Sequence, residues 1–411
     1  MLDVLAYVLL GTGMGTVTGL IPGVHVNNLT PMLVGVAACS SLPPIYLAAT
    51  IVAMALTHTF LSYIPSTFLG APDEGTALSV LPAHRMVLEG HGYDAIRLTA
   101  LGSLGGLILC AALIGPMLFV VGPAYGLIRP QMHLLLIGII VIMIALEKKV
   151  GAIAWAVTIF LLSGMLGLLA LDTNLCGGDA ALMPLLSGMF GVSVLLMGVA
   201  SKSRLPKQSL EGEPLELRSN ARAICAGTSA GMLTGIIPEI GPAQGTVLAQ
   251  LATRSGGAKG FLVSVSGVDT SKALVSFVAL YAIGRARSGA AVAVGELMDI
   301  GLNELLFLIG VALLAGGLAA VLHLQLGRLA AKHIGKLPYR GMCIAVIASI
   351  VGLTIYYAGL IGLPILVTAT AIGLLPAVTG VKRTHCMGVI MVPCILYFAG
   401  LKDAVLSVFG L

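Results

Sequence analysis

The chain has 411 residues, 58% of them hydrophobic and 9% charged, with a mean hydropathy of +1.05. A soluble domain carries about a quarter charged residues, so this composition excludes one and points to an all-α polytopic membrane protein. The net charge of +5 is spread over short loops, which excludes a nucleic-acid-binding face and fits the basic bias of cytoplasmic loops.

In chain order, the first apolar segment covers about residues 2–21. Met1-Leu2-Asp3 offers no basic n-region and no convincing cleavage site follows, so the segment reads as a retained span and not as a signal peptide. It contains Gly11, Gly15 and Gly19, a helical stripe of small residues on which a neighbouring backbone can pack closely. Pro22-Gly23 then stops the helix, because proline lacks an amide hydrogen and clashes with the preceding turn. His25, Asn27, Asn28 and Thr30 follow at a depth where lipid satisfies no polar group. This backbone is therefore expected to be buried in protein or to line a wet cavity.

Further apolar segments lie at about 29–42, 45–64, 95–121, 131–146, 151–171 and 181–200, then at about 220–237, 243–252, 261–282, 300–323, 341–358, 362–380 and 386–401. Between the two sets runs the longest polar stretch, 201–219. It reads as a cytoplasmic linker joining two membrane repeats, 1–200 and 220–411. The evidence for duplication is internal. Setting Gly11 against Gly227 pairs Gly11, Thr12, Gly15, Thr18, Gly19, Ile21 and Pro22 with Gly227, Thr228, Gly231, Thr234, Gly235, Ile237 and Pro238, seven identities in twelve positions. The second copy thus breaks at Pro238, and Glu239, Gly241 and Gln244 follow it.

If each segment crosses once, 17 of the 22 basic residues fall on one side, which is then cytoplasmic. Both termini are expected outside. An odd number of segments per half makes the second repeat inverted relative to the first. The second segment of each half is short for the roughly 30 Å hydrocarbon core. A re-entrant second segment is the alternative to a crossing, so about 12–14 transmembrane segments are expected.

A further pair of stretches corresponds. Gly70-Ala71-Pro72-Asp73-Glu74-Gly75 aligns with Gly284-Arg285-Ala286-Arg287-Ser288-Gly289, acidic in the first copy and basic in the second. Both resemble re-entrant loops; the plainer reading of Asp73 and Glu74 is the first turn of a helix over Thr76–Leu81. Glu239, His58, Asp269 and Lys272 lie within or beside apolar segments, where ionisable groups are rare unless paired or functional. Asp269 and Lys272, three apart on a helix, are placed to neutralise one another. The seven cysteines show no metal-ligand spacing and read as buried small hydrophobes.

The Gly-rich stretch at 11–23, its second copy at 227–238 and the Gly70-Ala71-Pro72 loop resemble the large membrane subunit of tripartite tricarboxylate transporters, the TctA type. The resemblance implies a permease for carboxylates such as citrate, driven by an ion gradient, working with a small four-helix membrane subunit and a periplasmic binding protein. By position it implicates Gly19, Pro22, Gly23, Asn27, Gly235 and Pro238. Glu239 stands where that family usually has glycine. A weaker likeness, through the helix ending in Pro-Gly, is to DUF368-type polyprenyl-phosphate translocases.

The leading expectation is secondary-active transport of a small organic anion across the cytoplasmic membrane, coupled to H+ or Na+. Transporter sites are marked by broken helices at corresponding positions of two repeats, and helix N-termini after each break would aim amides and positive dipole ends at an anion. The substrate-binding candidates are Gly19, Pro22, Gly23, His25, Asn27, Asn28 and Thr30, with Gly235, Pro238, Gly241 and Gln244. Glu239, Asp269, His58 and Asp73 are the ion-coupling candidates, since neutralising a buried carboxylate repays its desolvation. Arg285 and Arg287 are candidate phosphate contacts for the lipid alternative. The expected partners are membrane lipid, the anion and the two accessory subunits, with no nucleic acid and no cofactor. No HExxH, GxGD pair or nucleophile elbow argues for an enzyme.

Overall fold

The computed structural model describes residues 2–22, 26–38, 42–72, 75–147, 149–173, 178–200, 205–212, 215–237, 242–253, 257–335 and 338–408. Each of the fourteen apolar segments is helical, and no strand occurs among the described residues. The first half runs α1 (Leu2–Leu20), α2 (Val26–Ala38), α3 (Pro44–Leu61), α4 (Tyr63–Leu69), α5 (Val80–Leu88), α6 (Gly92–Ile128), α7 (Met132–Ala145), α8 (Val150–Leu171), α9 (Gly178–Leu186) and α10 (Ser193–Ala200), the last two joined by a π-helical turn over Ser187–Val192. The second half runs α11 (Leu217–Ile236), α12 (Pro242–Thr253), α13 (Gly257–Ile283), α14 (Gly289–Leu297), α15 (Leu302–Ile334), α16 (Tyr339–Ala358), α17 (Gly362–Thr379), α18 (Gly388–Ala399) and α19 (Lys402–Val408).

Nine of the described spans are long and apolar enough to cross a membrane, and two apolar helices, Met132–Ala145 and Arg383–Ala399, are shorter. Large apolar side chains such as Phe119, Val150 and Val378 stand exposed on these helices, as lipid-facing positions require. The chain is a multi-pass membrane protein.

The helices sort into two compact units, each drawing on both halves of the sequence. One unit comprises 1–69, 74–125 and 204–337; the other comprises 70–73, 126–203 and 338–411. In the first, α3 and α13 are buried along nearly their whole length. Their side chains are mostly apolar or small hydroxyls, which suits helices surrounded by protein; the ionisable exceptions are His58 on α3 and Lys259, Asp269 and Lys272 on α13. α1 and α15 pack on α3, and α11 and α12 on α13. α6 and α15 have 37 and 33 residues, about 55 and 50 Å at 1.5 Å per residue, well beyond one hydrocarbon thickness. A buried polar contact ties them: His323 on α15 directs Nε2 to the Thr99 hydroxyl at 3.0 Å and the Ile96 carbonyl at 3.2 Å. Thr99 spends its own hydrogen on the Ala95 and Ile96 carbonyls, so Nε2 is the donor.

The described part of the polar linker is not a free strap. Gln208 is buried and donates Nε2 to the carbonyls of Val87 (2.9 Å) and Pro206 (2.8 Å), while its Oε1 accepts from the Gly92 amide at 2.8 Å. That amide opens α6, so a side chain from the linker caps a long helix of the first half.

In the second unit, α8 packs on α17 and, by close backbone approach, on α18. Gly167 faces the Val389 carbonyl and Gly388 that of Phe160. Polar contacts tie it as well. Glu147 accepts from His385 Nε2 at 3.1 Å and from the Lys382 amide at 3.3 Å, and Arg383 donates to the Ser193 hydroxyl at 3.2 Å.

Candidate functional site

The duplicated motif becomes two helix pairs, both in the first unit. α1 lies on α3 through its glycine stripe: a methyl group at Gly15 would stand 2.5 Å from the Met54 carbonyl oxygen and one at Gly19 3.2 Å from that of His58, while Gly11 faces Thr50. α11 lies on α13 in the same way: a methyl group at Gly231 would stand 2.5 Å from the Val268 carbonyl oxygen and one at Gly235 3.3 Å from that of Lys272, while Gly227 faces Ser264. The step that leads from Thr50 to Ser264 also leads from Met54 to Val268 and from His58 to Lys272. Each stripe therefore meets the corresponding carbonyls of its partner helix.

The two helices also stop in step. The Ile21 amide bonds to the Val17 carbonyl and the Ile237 amide to that of Leu233, both at 3.1 Å. Pro22 is half-buried just past the first stop. New helices start at Val26 and Pro242, again at corresponding positions. Gly23, His25, Asp73, Pro238, Glu239 and Gly241 lie outside the described residues, and for Asn27, Asn28 and Gln244 the backbone is described, in the first turns of α2 and α12. Thr30 is buried one turn into α2. Its counterpart on α12 is Thr246, buried and donating to the Pro242 carbonyl at 2.9 Å. Sequence reasoning selected Thr30 and missed Thr246, although the step from Gly11 to Gly227 leads straight from one to the other.

The charged candidates occupy distinct places around these pairs. His58 directs Nδ1 to the Thr18 hydroxyl at 3.1 Å, and Thr18 itself donates to the Gly15 carbonyl at 3.2 Å. The imidazole thus joins α3 to α1 in the last turn of α1. Thr234 makes the matching bond to Gly231 on α11, at 3.2 Å. Asp269 is buried on α13, and its carboxylate lies against Gly75, where a Cβ would have no room.

The loops after α4 and α13 also correspond. Gly70 (φ +63°) and Gly284 (φ +60°) both adopt the left-handed conformation that glycine allows. Each is followed by a helix whose N-cap serine meets a serine of the preceding helix, Ser79 with Ser66 at 3.4 Å and Ser288 with Ser276 at 2.8 Å. The helix expected from Thr76 begins four residues later, at Val80, because 75–79 form turns. In the second loop Arg285 is exposed, whereas Arg287 is largely enclosed with its guanidinium 5.0 Å over the Tyr125 ring. α14, which follows, packs on α2 and α3. α2, α3, α13 and α14 thus share one apolar core.

Among the described residues no three His, Cys, Asp or Glu side chains form a metal cluster. Cys110, Cys343, Cys386 and Cys394 are buried, and Cys225 is exposed. The letters Gly227-Thr228-Ser229-Ala230-Gly231 match a G-x-S-x-G pattern but lie inside α11, so they make no strand-to-helix elbow.

The Gly-rich stretch at 11–23, its copy at 227–238 and the Gly70-Ala71-Pro72 loop are the elements on which the family resemblance rested. The model of the tripartite tricarboxylate transporter TctA family matches residues 5–388. The chain belongs to the TctA family. An uncharacterized protein of Methanocaldococcus jannaschii is 30% identical over 403 residues, covering 96% of this chain and 98% of its own length. No solved structure matches the chain. The family is one of transporters, and the apolar helices of this TctA-family chain are those of a multi-pass membrane protein.

Proposed function

We propose that the chain is a secondary-active permease for a small organic anion, a di- or tricarboxylate, working by alternating access in the cytoplasmic membrane. Its support is the restart of two helices at corresponding positions, with buried threonines one turn in, within a chain of the TctA family. Helix starts of this kind offer amides and a positive dipole end to a carboxylate. Thr30 and Thr246 supply hydroxyls from equivalent places, and Asn27, Asn28 and Gln244 belong to the same first turns.

In this reading the two halves are inverted repeats, with Gly19, Pro22 and Gly23 and then Gly235, Pro238 and Gly241 setting the breaks, and His25 beside the first. The termini lie outside, and H+ or Na+ is taken up by a carboxylate near the breaks. Asp269 and Glu239 are the foremost choices, with His58 and Asp73 the others. A small membrane subunit and an extracytoplasmic binding protein complete the transporter. The second reading, movement of a polyprenyl phosphate between leaflets, draws support from Arg287, a half-buried cation two residues before α14, the helix that packs on α2.

The test is uptake of labelled citrate and succinate into proteoliposomes under a Na+ or a proton gradient. Thr30→Val and Thr246→Val should each lower uptake, by about tenfold for the loss of one hydrogen bond to a charged group, and Asp269→Asn or Glu239→Gln should change its ion dependence. No uptake from a panel of di- and tricarboxylates under either gradient would defeat the carboxylate reading.

A further inference from the structure

Arg287 is a half-buried cation. Its Nε and Nη2 are buried and meet no acceptor, and it forms no ion pair among the described residues. Other arginines are provided for: Arg85 has Glu89 at 3.1 Å, Arg97 has Asp94 at 3.4 Å, and Arg383 has the Ser193 hydroxyl. What faces Arg287 is the ring of Tyr125, which attracts a guanidinium and holds its plane but accepts none of its N–H bonds. Enclosing a guanidinium with open N–H groups is costly unless an anion completes it.

Its position adds a second set of donors. Ser288, the next residue, caps α14 by accepting the Ala291 amide, and its carbonyl takes the Val292 amide at 2.9 Å. The amides of Gly289 and Ala290 have no partner within the helix, as at any helix start. α14 packs on α2, the helix that restarts after the first break.

We propose that Arg287 is the oxyanion-binding residue of this unit. Its planar fork and the first amides of α14 grip one carboxylate or phosphate group, while Tyr125 fixes the guanidinium. A two-oxygen anion matches the fork, since carboxylate and phosphate both take bidentate N–H bonds from arginine. This deepens the permease reading and rests on it for the claim that the bound anion is the transported one. The duplication explains why the cation appears once: the corresponding loop of the first half carries Asp73 and Glu74 instead.

The experiment uses purified full-length protein. Thermal unfolding is followed in detergent with citrate or inorganic phosphate, and in nanodiscs containing a polyprenyl phosphate. At least one probe should raise the unfolding temperature of the wild type. Arg287→Gln should weaken that probe by about tenfold or more, Arg287→Lys should retain a weakened response, and Arg328→Gln, at an exposed arginine of α15, should match the wild type. Without any anion, Arg287→Gln should unfold at the same or a higher temperature than the wild type, because a half-buried cation with two unpartnered nitrogens has been removed. Absence of a wild-type response to all three probes, or an undiminished response in Arg287→Gln, overturns the assignment. If Arg287→Gln does not fold, Arg287→Lys decides: wild-type affinity there overturns the bidentate fork. Citrate uptake that proceeds at the wild-type rate in Arg287→Gln would keep the permease and discard the site. An Arg287-dependent response to polyprenyl phosphate alone, with no carboxylate uptake, would keep the site and discard the carboxylate permease.

Discussion

Gly15→Ala tests whether backbone contact, and not general flexibility, is what the glycine stripe provides. The added methyl group would stand 2.5 Å from the Met54 carbonyl oxygen and 2.7 Å from the Thr57 Cβ, where ordinary contact begins at 3.4 Å. α1 and α3 must therefore part by about 0.9 Å over this turn, the difference between 3.4 and 2.5 Å. Overpacking of that kind costs about 1–3 kcal/mol. Replacing glycine by alanine within a helix returns about 0.5–1 kcal/mol. Gly13 supplies the control, since it is exposed on the same helix and a Cβ there meets nothing within 4 Å. Gly13→Ala keeps the helical gain without the clash, so the two variants should differ by about 1–3 kcal/mol. Gly231→Ala should behave as Gly15→Ala does, because its Cβ would lie 2.5 Å from the Val268 carbonyl oxygen. The assay is thermal unfolding of the purified variants in one detergent, compared by rank because unfolding of such proteins is commonly irreversible. If Gly15→Ala or Gly231→Ala melts at or above Gly13→Ala, the close-packed helix pairs are not as described.

Two further outcomes follow from the packing of the first unit. Gln208→Ala strips the α6 cap, leaving the Gly92 amide and the Val87 carbonyl without their side-chain partner. It should cost about 1–3 kcal/mol for each group left buried, read as a lower melting temperature, and an unchanged melt would mean the linker is dispensable. His84, on α5, is buried and donates Nδ1 to the Thr67 carbonyl at 3.1 Å. Burial pushes its pKa below the ordinary histidine value, against the opposing effect of that hydrogen bond. The unfolded segment then binds a proton more tightly than the folded one, so the stability His84 contributes is complete above about pH 6.5 and is lost as pH falls towards the lowered value. Hydrogen exchange over residues 63–88, corrected for intrinsic rates, should quicken between pH 7.5 and 5.5 in the wild type. The effect should vanish in His84→Gln; equal protection at both pH values would remove His84 as the cause.

Much of this architecture was legible before any coordinates. Gly11, Gly15 and Gly19 announce a helix that packs by its backbone, because small residues four apart have few other uses in an apolar segment. Their recurrence at Gly227, Gly231 and Gly235 marks the duplication and the family. Thr246 was equally accessible, since it needs nothing beyond extending the same alignment past Pro238. The start of α5 was not, because Asp73-Glu74 is a fair helix opening on local propensity and the turns at 75–79 depend on what they pack against. Gly75 is one such residue, fitted to the carboxylate of Asp269 almost two hundred positions away.

The sequence by itself determined the class of the protein, its recurring glycine motif and the places where α1 and α11 stop, since composition, glycine spacing and proline chemistry are local properties. Tertiary structure decided which charges matter. From the chain, Arg285 and Arg287 are alike, two residues apart in one loop. In the fold one is exposed and the other is turned under Tyr125 with two of its nitrogens buried. Nor does the sequence foretell that a glutamine from the polar linker caps α6, or that His323 finds Thr99 from the far end of the chain. The physical reason is common to all three. Burial and hydrogen-bond partnership are fixed by neighbours brought from distant positions, and no local pattern encodes who those neighbours will be.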